Sequence, residues 1–268
     1  MARISVLIGI YNCASTLVEA LDSLYAQTYK DFKIILCEDG STDDTYAVAK
    51  AYAEKHDNII LLRNEKNMGL NYTLNRCLEY ADTEYCARMD GDDISLPTRF
   101  EQQVKFLDAH PEYAIVSSPM IHFDELGEIF RGIVREGEAS KNLFNYGPPF
   151  CHAPSMVRKS AFDAVCGYNE DSRFLRVEDY NLWMRMYAAG FKGYNLGEYL
   201  YMMRDDRNAT SRRTFKSRLS AIYAHWIAYK TLHLSLLLFI KYVLSIICIM
   251  IMPPFLYEWL RKQKYKRC

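Results

Sequence analysis

The sequence predicts an α/β fold built on an open, mostly parallel β-sheet. Short apolar segments rich in β-forming residues recur over the first third of the chain, and their hydrophobicity is nearly continuous rather than alternating. Strands of this kind are buried on both faces, as in parallel sheets. Helical patterns separate them, and this alternation of strand and helix also favours the α/β class. Half of the 268 residues are hydrophobic, so the chain can bury one sizeable core.

The first part of the chain supplies four predicted strands and three predicted helices. The strands are residues 4–10, 33–37, 59–63 and 84–89. The helices lie at about residues 15–27, 43–55 and 69–81. Ligands of such sheets bind beyond the carboxyl ends of the strands, and the polar motifs of this chain fall at those ends.

The second part is predicted to be less regular. A helix should span about residues 97–110, and a strand should follow near residues 113–118. Residues 122–150 show no clear period, whereas residues 155–166 and 178–189 again have a helical pattern. No internal repeat or low-complexity linker divides the chain.

An acidic motif, MDGDD, occupies residues 89–93. Asp90 and Asp92 are two positions apart in extended chain, so their side chains project from the same side of a strand end. Two carboxylates in this arrangement can hold one hard divalent cation, Mg²⁺ or Mn²⁺, together with phosphate oxygens of a substrate. A solvated acidic loop would have the same sequence, so this motif alone leaves both interpretations open.

A second motif, EDGSTDDT, covers residues 38–45, between a strand and a helix. Asp39 is expected to point into the ligand crevice, while Gly40 and Ser41 shape the turn. A carboxylate acceptor at this place suits a nucleobase imino group or a ribose hydroxyl. Simple helix capping by Ser41 and Asp43 would explain the motif equally well.

Two further segments have helix starts that could serve a ligand. Gly69, in NEKNMGLNYTLN, could begin a helix close to a phosphate, although an ordinary loop and cap fits as well. Glu178 and Asp179, in VEDYNLWMR, lie where a helix should begin. The helix dipole stabilises acidic residues there whether or not they react, so the position alone does not assign a role.

Taken together, five motifs resemble family 2 of the glycosyltransferases, the inverting enzymes of GT-A fold. They are IGIYN, EDGSTDDT, NMGL, ARMDGDDISLPTRF and VEDYNLWMR, in that order within residues 3–211. The likeness is greatest to bacterial enzymes that extend lipid-linked O-antigen and capsule repeat units. It implies transfer of a hexose from a nucleoside-diphosphate sugar, UDP-glucose or UDP-galactose, to a polyprenyl-diphosphate-linked saccharide, with Mn²⁺ or Mg²⁺ as cofactor.

The resemblance assigns the donor side of the site to the following residues. Tyr11 and Asp39 would hold the base. Glu38 stands where family members commonly have Asp, which could alter base or ribose contacts. Gly69 would approach a phosphate. His152, in PFCHAPSMVRKSAF, matches a polar position that lines the active-site side, although an isolated histidine is equally a hydrogen-bonded structural residue.

The same resemblance assigns the metal and the catalytic groups. Asp90 would hold the ribose or the metal, and Asp92 the metal and the diphosphate, with Asp93 behind them. Asp179 would be the catalytic base, because direct inversion needs one group that takes the proton of the acceptor hydroxyl as its oxygen attacks. Glu178 would orient or bind the acceptor.

Charge divides the chain into two predicted parts, a catalytic domain at 1–211 and a membrane-association segment at 212–268. The second part holds eleven Lys and Arg against one acidic residue, whereas the first holds 22 basic against 32 acidic residues. Such asymmetry predicts a tail that seeks an anionic membrane surface or nucleic acid. We favour the membrane because the basic residues flank an apolar stretch instead of interleaving with aromatic residues.

That apolar stretch, Leu232 to Met252, is long enough to cross a bilayer. Lys241 lies in its middle, however, where a charge costs about 2.5 to 3.5 kcal/mol. We therefore predict an interfacial helical hairpin, broken at Pro253 and Pro254, with the basic residues 261–267 on anionic headgroups. A transmembrane helix and a helix buried in an oligomer are the alternatives.

The expected location is the cytoplasmic face of the bacterial inner membrane, with the protein peripheral or monotopic. Eight cysteines are scattered without a C-x-x-C pair, and the N-terminal residues lack the pattern of a signal peptide, both of which favour a reducing compartment. A membrane-bound scaffold that binds a nucleotide sugar without turnover is the rival functional hypothesis.

Overall fold

Strands and helices alternate over the first part of the chain, as the sequence predicts. In the computed structural model, which describes residues 2–205 and 214–251, the strands are β1 (Ile4–Ile10), β2 (Phe32–Glu38), β3 (Ile59–Arg63) and β4 (Tyr85–Asp90). The helices between them are α1 (Leu17–Tyr25), α2 (Thr45–Ala53) and α3 (Leu70–Glu79). The strands pair in parallel in the order β3-β2-β1-β4. All four therefore end on the same edge of the sheet.

The second part completes a mixed α/β fold. Its strands are β5 (Ile94–Ser95), β6 (Ile115–Ser117), β7 (Met120–Asp124), β8 (Gly127–Arg131), β9 (Gly137–Glu138), β10 (Met156–Arg158), β11 (Gly193–Asn195) and β12 (Tyr201–Arg204). Its helices are α4 (Arg99–Ala109), α5 (Lys159–Ala164) and α6 (Glu178–Ala188), with short 3-10 helices at Lys141–Asn145 and Ser172–Phe174. The main sheet has the order β3-β2-β1-β4-β10-β6-β11-β9, and a smaller sheet has the order β5-β12-β7-β8.

Two predictions for this part were wrong. The helix predicted at 155–166 begins only at Lys159, because Met156 and Val157 form β10 and pair antiparallel with both β4 and β6. The segment 122–150, predicted as irregular, contains the hairpin of β7 and β8. For β10, and for β7, which also pairs with β12, long-range strand pairing overrides the local pattern.

The main sheet is covered on both faces. One face packs against α1, α2 and α4 through residues such as Leu21, Ala49 and Phe100. The other packs against α3, α5 and α6, where Trp183 is fully buried. Continuous apolar strands follow from this arrangement, because every position of a doubly covered strand faces protein.

Two C-terminal helices, α7 (Phe215–Leu232) and α8 (Leu236–Ile251), form a hairpin beside α6. Ala224, Ala228 and Leu232 of α7 belong to the same buried cluster as Trp183. The domain boundary predicted at residue 211 would separate α7 from the side chains on which it packs. On packing grounds, one core extends to Leu232.

Helix α8 lies outside that core. Its inner side packs on α7, where the Tyr242 ring stacks on His225 at 3.6 Å between centroids. Its outer side exposes apolar side chains, with Leu237 62% and Leu244 55% exposed, and Lys241 lies among them. None of the described helices has the length and apolar content needed to cross a bilayer. The predicted break at residues 253–254 and the basic cluster at 261–267 lie outside the described residues.

Candidate active site

Three strand ends meet at one level of the main sheet. Gly9 of β1 pairs with Cys37 of β2 on one side and with Asp90 of β4 on the other. The residues that follow these positions therefore emerge together at the carboxyl edge of the sheet. This is where ligands of open α/β sheets bind.

Asp39 lies directly after β2 and is buried. Its Oδ1 accepts hydrogen bonds from Asn64 Nδ2 at 2.7 Å and from the Met68 amide at 2.8 Å, and its Oδ2 accepts one from the Gly69 amide at 2.9 Å. These three donors fix the carboxylate in one orientation. Each oxygen retains further acceptor capacity for a ligand donor.

Glu38 is fully buried, and both of its carboxylate oxygens are engaged within the chain. One accepts a hydrogen bond from the Ser41 amide, and the other forms an ion pair with Arg63 at 3.2 Å. Gly40, with φ of 68°, lies between them, and a Cβ there would come within 2.5 Å of the Lys66 backbone. Glu38 thus braces a turn that only glycine can make.

Tyr11 follows β1 on a loop that is tied to this turn. The Thr42 amide donates to Asn12 Oδ1 at 2.9 Å, and the Cys13 amide donates to Thr45 Oγ1 at 2.8 Å. The Tyr11 side chain itself is 46% exposed. It therefore stands as a free aromatic surface beside Asp39.

Gly69 begins α3 with φ of 90°, a conformation that favours glycine. Its amide donates to Asp39 rather than to open solvent. A Cβ at this position would meet no atom within 4 Å. A phosphate would therefore contact Gly69 at its Cα, beside which there is open space, and not at its amide.

The acidic motif follows β4 as the sequence predicts, with the tight link at Gly91. A Cβ at Gly91 would lie 2.6 Å from Ile10 Cγ2, so only glycine fits between Asp90 and Asp92. Burial, and then the neighbouring Asp90 carboxylate, raise the pKa of Asp92. A nearby cation would stabilise the charged form of this carboxylate, so the Asp90 and Asp92 pair fits a divalent metal ion.

Asp93 differs from Asp90 and Asp92 because it is buried. Its Oδ1 accepts a hydrogen bond from the Arg204 amide at 2.8 Å, and Arg204 Nε donates to the Asp92 carbonyl at 2.9 Å. These bonds tie the acidic motif to β12. Residues 2–205 and 214–251 contain no group of three metal-ligating side chains. The donor set matches Mg²⁺ or Mn²⁺ held by one or two carboxylates and by substrate phosphates.

Arg88 is a candidate site residue that sequence reasoning missed. It is buried in β4 and forms an ion pair with Asp90, while its Nε has no hydrogen-bond partner among the described residues. Burial raises the pKa of both Glu178 and Asp179, and the charge of Arg88 acts against that rise. The available signal was a charged residue within an otherwise apolar strand, since buried arginines are rare unless paired.

Glu178 and Asp179 form the first turn of α6. Asp179 Oδ1 accepts a hydrogen bond from the Tyr180 amide at 2.7 Å. Burial, and then the adjacent Glu178 carboxylate, raise the pKa of Asp179 to about 7. Burial also raises the pKa of Glu178. A carboxylate with a pKa near neutrality can accept a proton during turnover and release it afterwards.

A cavity of about 870 Å³ joins these two regions. Asp90 and Arg88 lie on its wall together with Glu178 and Asp179, which come from α6 almost ninety positions later. The cavity therefore brings an acidic strand end and a candidate base to one space. The other candidate site residues are not among its lining residues: Tyr11, Glu38, Asp39 and Asp92 lie at or just after strand ends, and Gly69 lies at the start of α3.

His152 also lines this cavity. Its Nε2 lies 2.8 Å from the Tyr168 hydroxyl, and burial, assisted by Arg88, holds its pKa well below the usual range. The imidazole is therefore neutral. This geometry accommodates both interpretations of the sequence, because the ring faces the cavity and is hydrogen-bonded in the core.

Residues 5–166 match the family model for glycosyl transferase family 2. EpsE of Bacillus subtilis (strain 168) is 44% identical over 218 residues, which cover 80% of this chain and 77% of EpsE. WfaP of Escherichia coli, named as a UDP-Glc:alpha-D-GlcNAc-diphosphoundecaprenol beta-1,3-glucosyltransferase, is 28% identical over 73% of this chain and 74% of its own. An E. coli UDP-Gal:alpha-D-GlcNAc-diphosphoundecaprenol beta-1,3-galactosyltransferase is 29% identical over 99% of this chain and 97% of its own.

Solved structures share the fold at low sequence identity. S. aureus TarS, residues 1–349 in complex with UDP-GlcNAc, superposes with a TM-score of 0.70 at 19% identity, over 86% of this chain and 66% of that chain. The chain thus spans just under two thirds of that TarS structure. The mannosyltransferase PcManGT from Pyrobaculum calidifontis, in complex with GDP-Man and Mn²⁺, gives a TM-score of 0.63 at 18% identity, over 98% of this chain and 84% of its own.

Proposed function

Because this chain belongs to glycosyl transferase family 2, we propose that it is an inverting hexosyltransferase that elongates a lipid-linked saccharide. The donor is UDP-glucose or UDP-galactose, and the acceptor is a saccharide on polyprenyl diphosphate. The product is a β-linked precursor of a bacterial surface polysaccharide, either O-antigen or capsule. The observation that carries this proposal is the cavity shared by Asp90 and Asp179.

Donor binding belongs to the strand ends. Tyr11 offers its exposed ring to the base, and Asp39 accepts from the base or ribose with an orientation fixed by three donors. Glu38 acts indirectly, since it braces the turn that presents Asp39. The two E. coli relatives named for UDP-glucose and UDP-galactose support the uridine donor.

Asp92 and Asp90 hold a divalent cation, Mn²⁺ or Mg²⁺. When bound, such a cation supplies positive charge that stabilises the departing diphosphate. Asp93 keeps the pair in place through its bond to the Arg204 amide. Arg88 forms an ion pair with Asp90 and so holds its carboxylate in position.

Asp179 removes the proton of the acceptor hydroxyl as the oxygen attacks the anomeric carbon. Its raised pKa makes it a stronger base than an ordinary carboxylate, and the Tyr180 amide holds one of its oxygens still. Glu178 keeps that pKa high by its charge and orients the acceptor. A scaffold without turnover would have no need of a base tuned in this way.

Transfer by the purified protein is the direct test. We expect UDP release and a longer lipid product when a synthetic GlcNAc-diphosphate lipid is supplied with UDP-glucose or UDP-galactose and Mn²⁺. GDP-mannose serves as the control donor and should give neither GDP release nor a longer lipid product. Binding of UDP without transfer from any nucleotide sugar would support the scaffold hypothesis instead.

The α7–α8 hairpin binds the protein to the cytoplasmic face of the inner membrane as a peripheral anchor. Helix α8 is about 24 Å long, which is less than the roughly 30 Å of a bilayer core. A helix of this kind lies in the interface plane, and basic residues add attraction to anionic lipids. The excess of basic residues beyond position 211 supports this arrangement.

Acidic substitutions on α8 test the anchor without removing α7 from the core. We expect Leu237→Glu combined with Leu244→Glu to reduce binding to phosphatidylglycerol-containing vesicles at least ten-fold, since each lost leucine forfeits about 1.5 to 3 kcal/mol of apolar burial. Val18→Glu is the matched control, because Val18 is exposed on α1 at the opposite face of the main sheet. Equal vesicle binding by all three proteins in a flotation assay would contradict the proposal.

A further inference from the structure

The cavity has a basic wall, and Arg88 is the one arginine of that wall to which the proposed reaction gives a role. Its arginines are Arg88, Arg131, Arg135 and Arg176. Two of them are already paired, Arg88 with Asp90 and Arg131 with Glu128 through two hydrogen bonds of 2.9 and 3.1 Å. Arg135 and Arg176 form no ion pair within residues 2–205 and 214–251. Two free guanidinium groups therefore face one cavity.

Both of these arginines lie close to the candidate base. Arg176 is three positions before Asp179, and its charge lowers the pKa of Glu178. Burial is the main cause of the raised pKa of the Cys151 thiol, and the charges of Asp179 and Arg135 both act on that thiol, so both lie near it. The two arginines thus lie in the neighbourhood of the candidate base.

The backbone fixes the positions of these arginines. Arg176 has φ of 62°, a left-handed conformation that costs a non-glycine residue about 1 to 3 kcal/mol. Arg135 belongs to a loop that is pinned at Gly132, whose amide donates to the Met120 carbonyl at 2.8 Å and whose carbonyl accepts from the Tyr199 hydroxyl at 2.8 Å. Neither side chain is carried on an unconstrained segment.

Exposed apolar side chains accompany the two cations in the sequence, and one of them lines the cavity. Ile133 lines the cavity and is 60% exposed, and Val134 and Leu175, which directly precede Arg135 and Arg176, are exposed as well. Cationic and apolar groups side by side match an amphiphile whose diphosphate is joined to a hydrocarbon chain. A free sugar or a soluble nucleotide would not need the apolar groups.

One short segment of chain lies between helix α8 and the wall of the cavity. Helix α8 packs against the 3-10 helix Lys141–Asn145, and Pro148, Pro149 and Phe150, which follow that helix closely, line the cavity. A lipid held at the membrane surface by its hydrocarbon chain can therefore reach the cavity with its head.

We propose that Arg135 and Arg176 form a subsite for the diphosphate of the lipid-linked acceptor. Guanidinium groups bind phosphate oxygens through paired, charge-assisted hydrogen bonds, which fixes orientation as well as distance. The subsite rests on the proposed function, and it explains how the terminal sugar of a long, mobile lipid is brought to Asp179. In an inverting reaction the acceptor attacks from the side opposite the leaving group, so cations beside the base serve the acceptor rather than the donor.

The test compares two acceptors that differ only in the diphosphate: a GlcNAc-diphosphate alkyl lipid and a GlcNAc alkyl glycoside with the same chain. We expect the wild type to prefer the diphosphate in kcat/KM. Arg135→Ala and Arg176→Ala should each lower that preference about ten-fold or more, the double variant should lower it further, and lysine at either position should restore part of it. Arg173→Ala is the matched control, because Arg173 is exposed, paired with Asp171 and not part of the cavity wall.

Each other outcome overturns a specific part of the proposal. A double variant that keeps the wild-type preference excludes the subsite while leaving the proposed function intact. A double variant whose affinity for UDP with Mn²⁺ falls together with the preference assigns the arginines to the donor diphosphate instead. A wild type with no preference for the diphosphate overturns the proposed acceptor and, with it, the subsite.

Discussion

Asp179→Asn is expected to lower kcat by about 100- to 10,000-fold, the usual cost of removing a general base. Asparagine keeps the shape of the side chain and can still accept the bond from the Tyr180 amide, so the fold should be intact. Affinity for UDP with Mn²⁺ should be unchanged, because the donor contacts lie on the strand ends. Single-turnover rates and calorimetric titration with UDP measure the two quantities separately.

Glu178→Gln is the matched comparison for this variant. It removes a carboxylate from the same helical turn, and we expect a smaller loss because Glu178 does not take the proton. Without the Glu178 charge, the pKa of Asp179 should also fall, since that charge helps to raise it. If Glu178→Gln abolished transfer while Asp179→Asn remained near wild type, the roles within the pair would be reversed.

The raised pKa of Asp179 predicts two pH dependences, one in the activity of the wild type and one in the stability of Asp179→Asn. Since the base must be deprotonated, kcat/KM of the wild type should fall as pH decreases through about 7. The folded-state pKa lies above that of the unfolded chain, so the stabilising contribution is complete below about pH 4 and is lost as pH rises to 7. Asp179→Asn should therefore melt above the wild type at pH 8 and close to it at pH 4.

The fold of the first part was predictable because its strands are continuous apolar segments. Ile4 to Ile10 need only local composition to be recognised as a doubly buried strand. Met156 and Val157 carry no such signal, since their extended form depends on β4 and β6, which lie at least forty positions earlier. Local sequence does not contain that information, and the helical pattern of residues 155–166 was therefore misleading.

The site divides in the same way. Asp39, Asp90 and Asp179 could be proposed from the sequence because each lies at a strand end or opens a helix, which are places that a motif marks. Arg88, which pairs with Asp90, leaves only the weak signal of a charged residue in an apolar strand. Arg135, which reaches the cavity from an irregular loop, is identified only when the chain is folded.

The C-terminal boundary shows why charge alone misplaces a domain. The excess of basic residues begins near position 212, yet α7 buries Ala224 and Ala228 in the core. Its hydrophobic residues serve packing, and its charges remain on the surface. Truncation after residue 211 would remove part of the core, so the exposed face of α8 is the correct place to test membrane binding.

Chelation of the metal is expected to abolish transfer, and Mn²⁺ or Mg²⁺ should restore it. Metal ions stabilise a departing diphosphate by several kcal/mol, which corresponds to a loss of at least about 100-fold without the ion. Asp92→Asn should cause a similar loss in the presence of saturating Mn²⁺. Mn²⁺ should raise the affinity of the wild type for UDP and leave that of Asp92→Asn unchanged, which provides a readout independent of turnover.

Asp93→Asn is the matched control, because it lies one position further along the same acidic motif. Asp93 Oδ1 serves the Arg204 amide, and an asparagine oxygen can accept the same bond, so the link to β12 should survive. We expect this variant to keep the effect of Mn²⁺ on UDP affinity and to lose less activity than Asp92→Asn. Asp93→Ala would lose the bond and should lower the melting temperature, which separates structural damage from loss of the metal. Undiminished transfer in EDTA by a protein stripped of metal beforehand would exclude a role for a cation in the reaction.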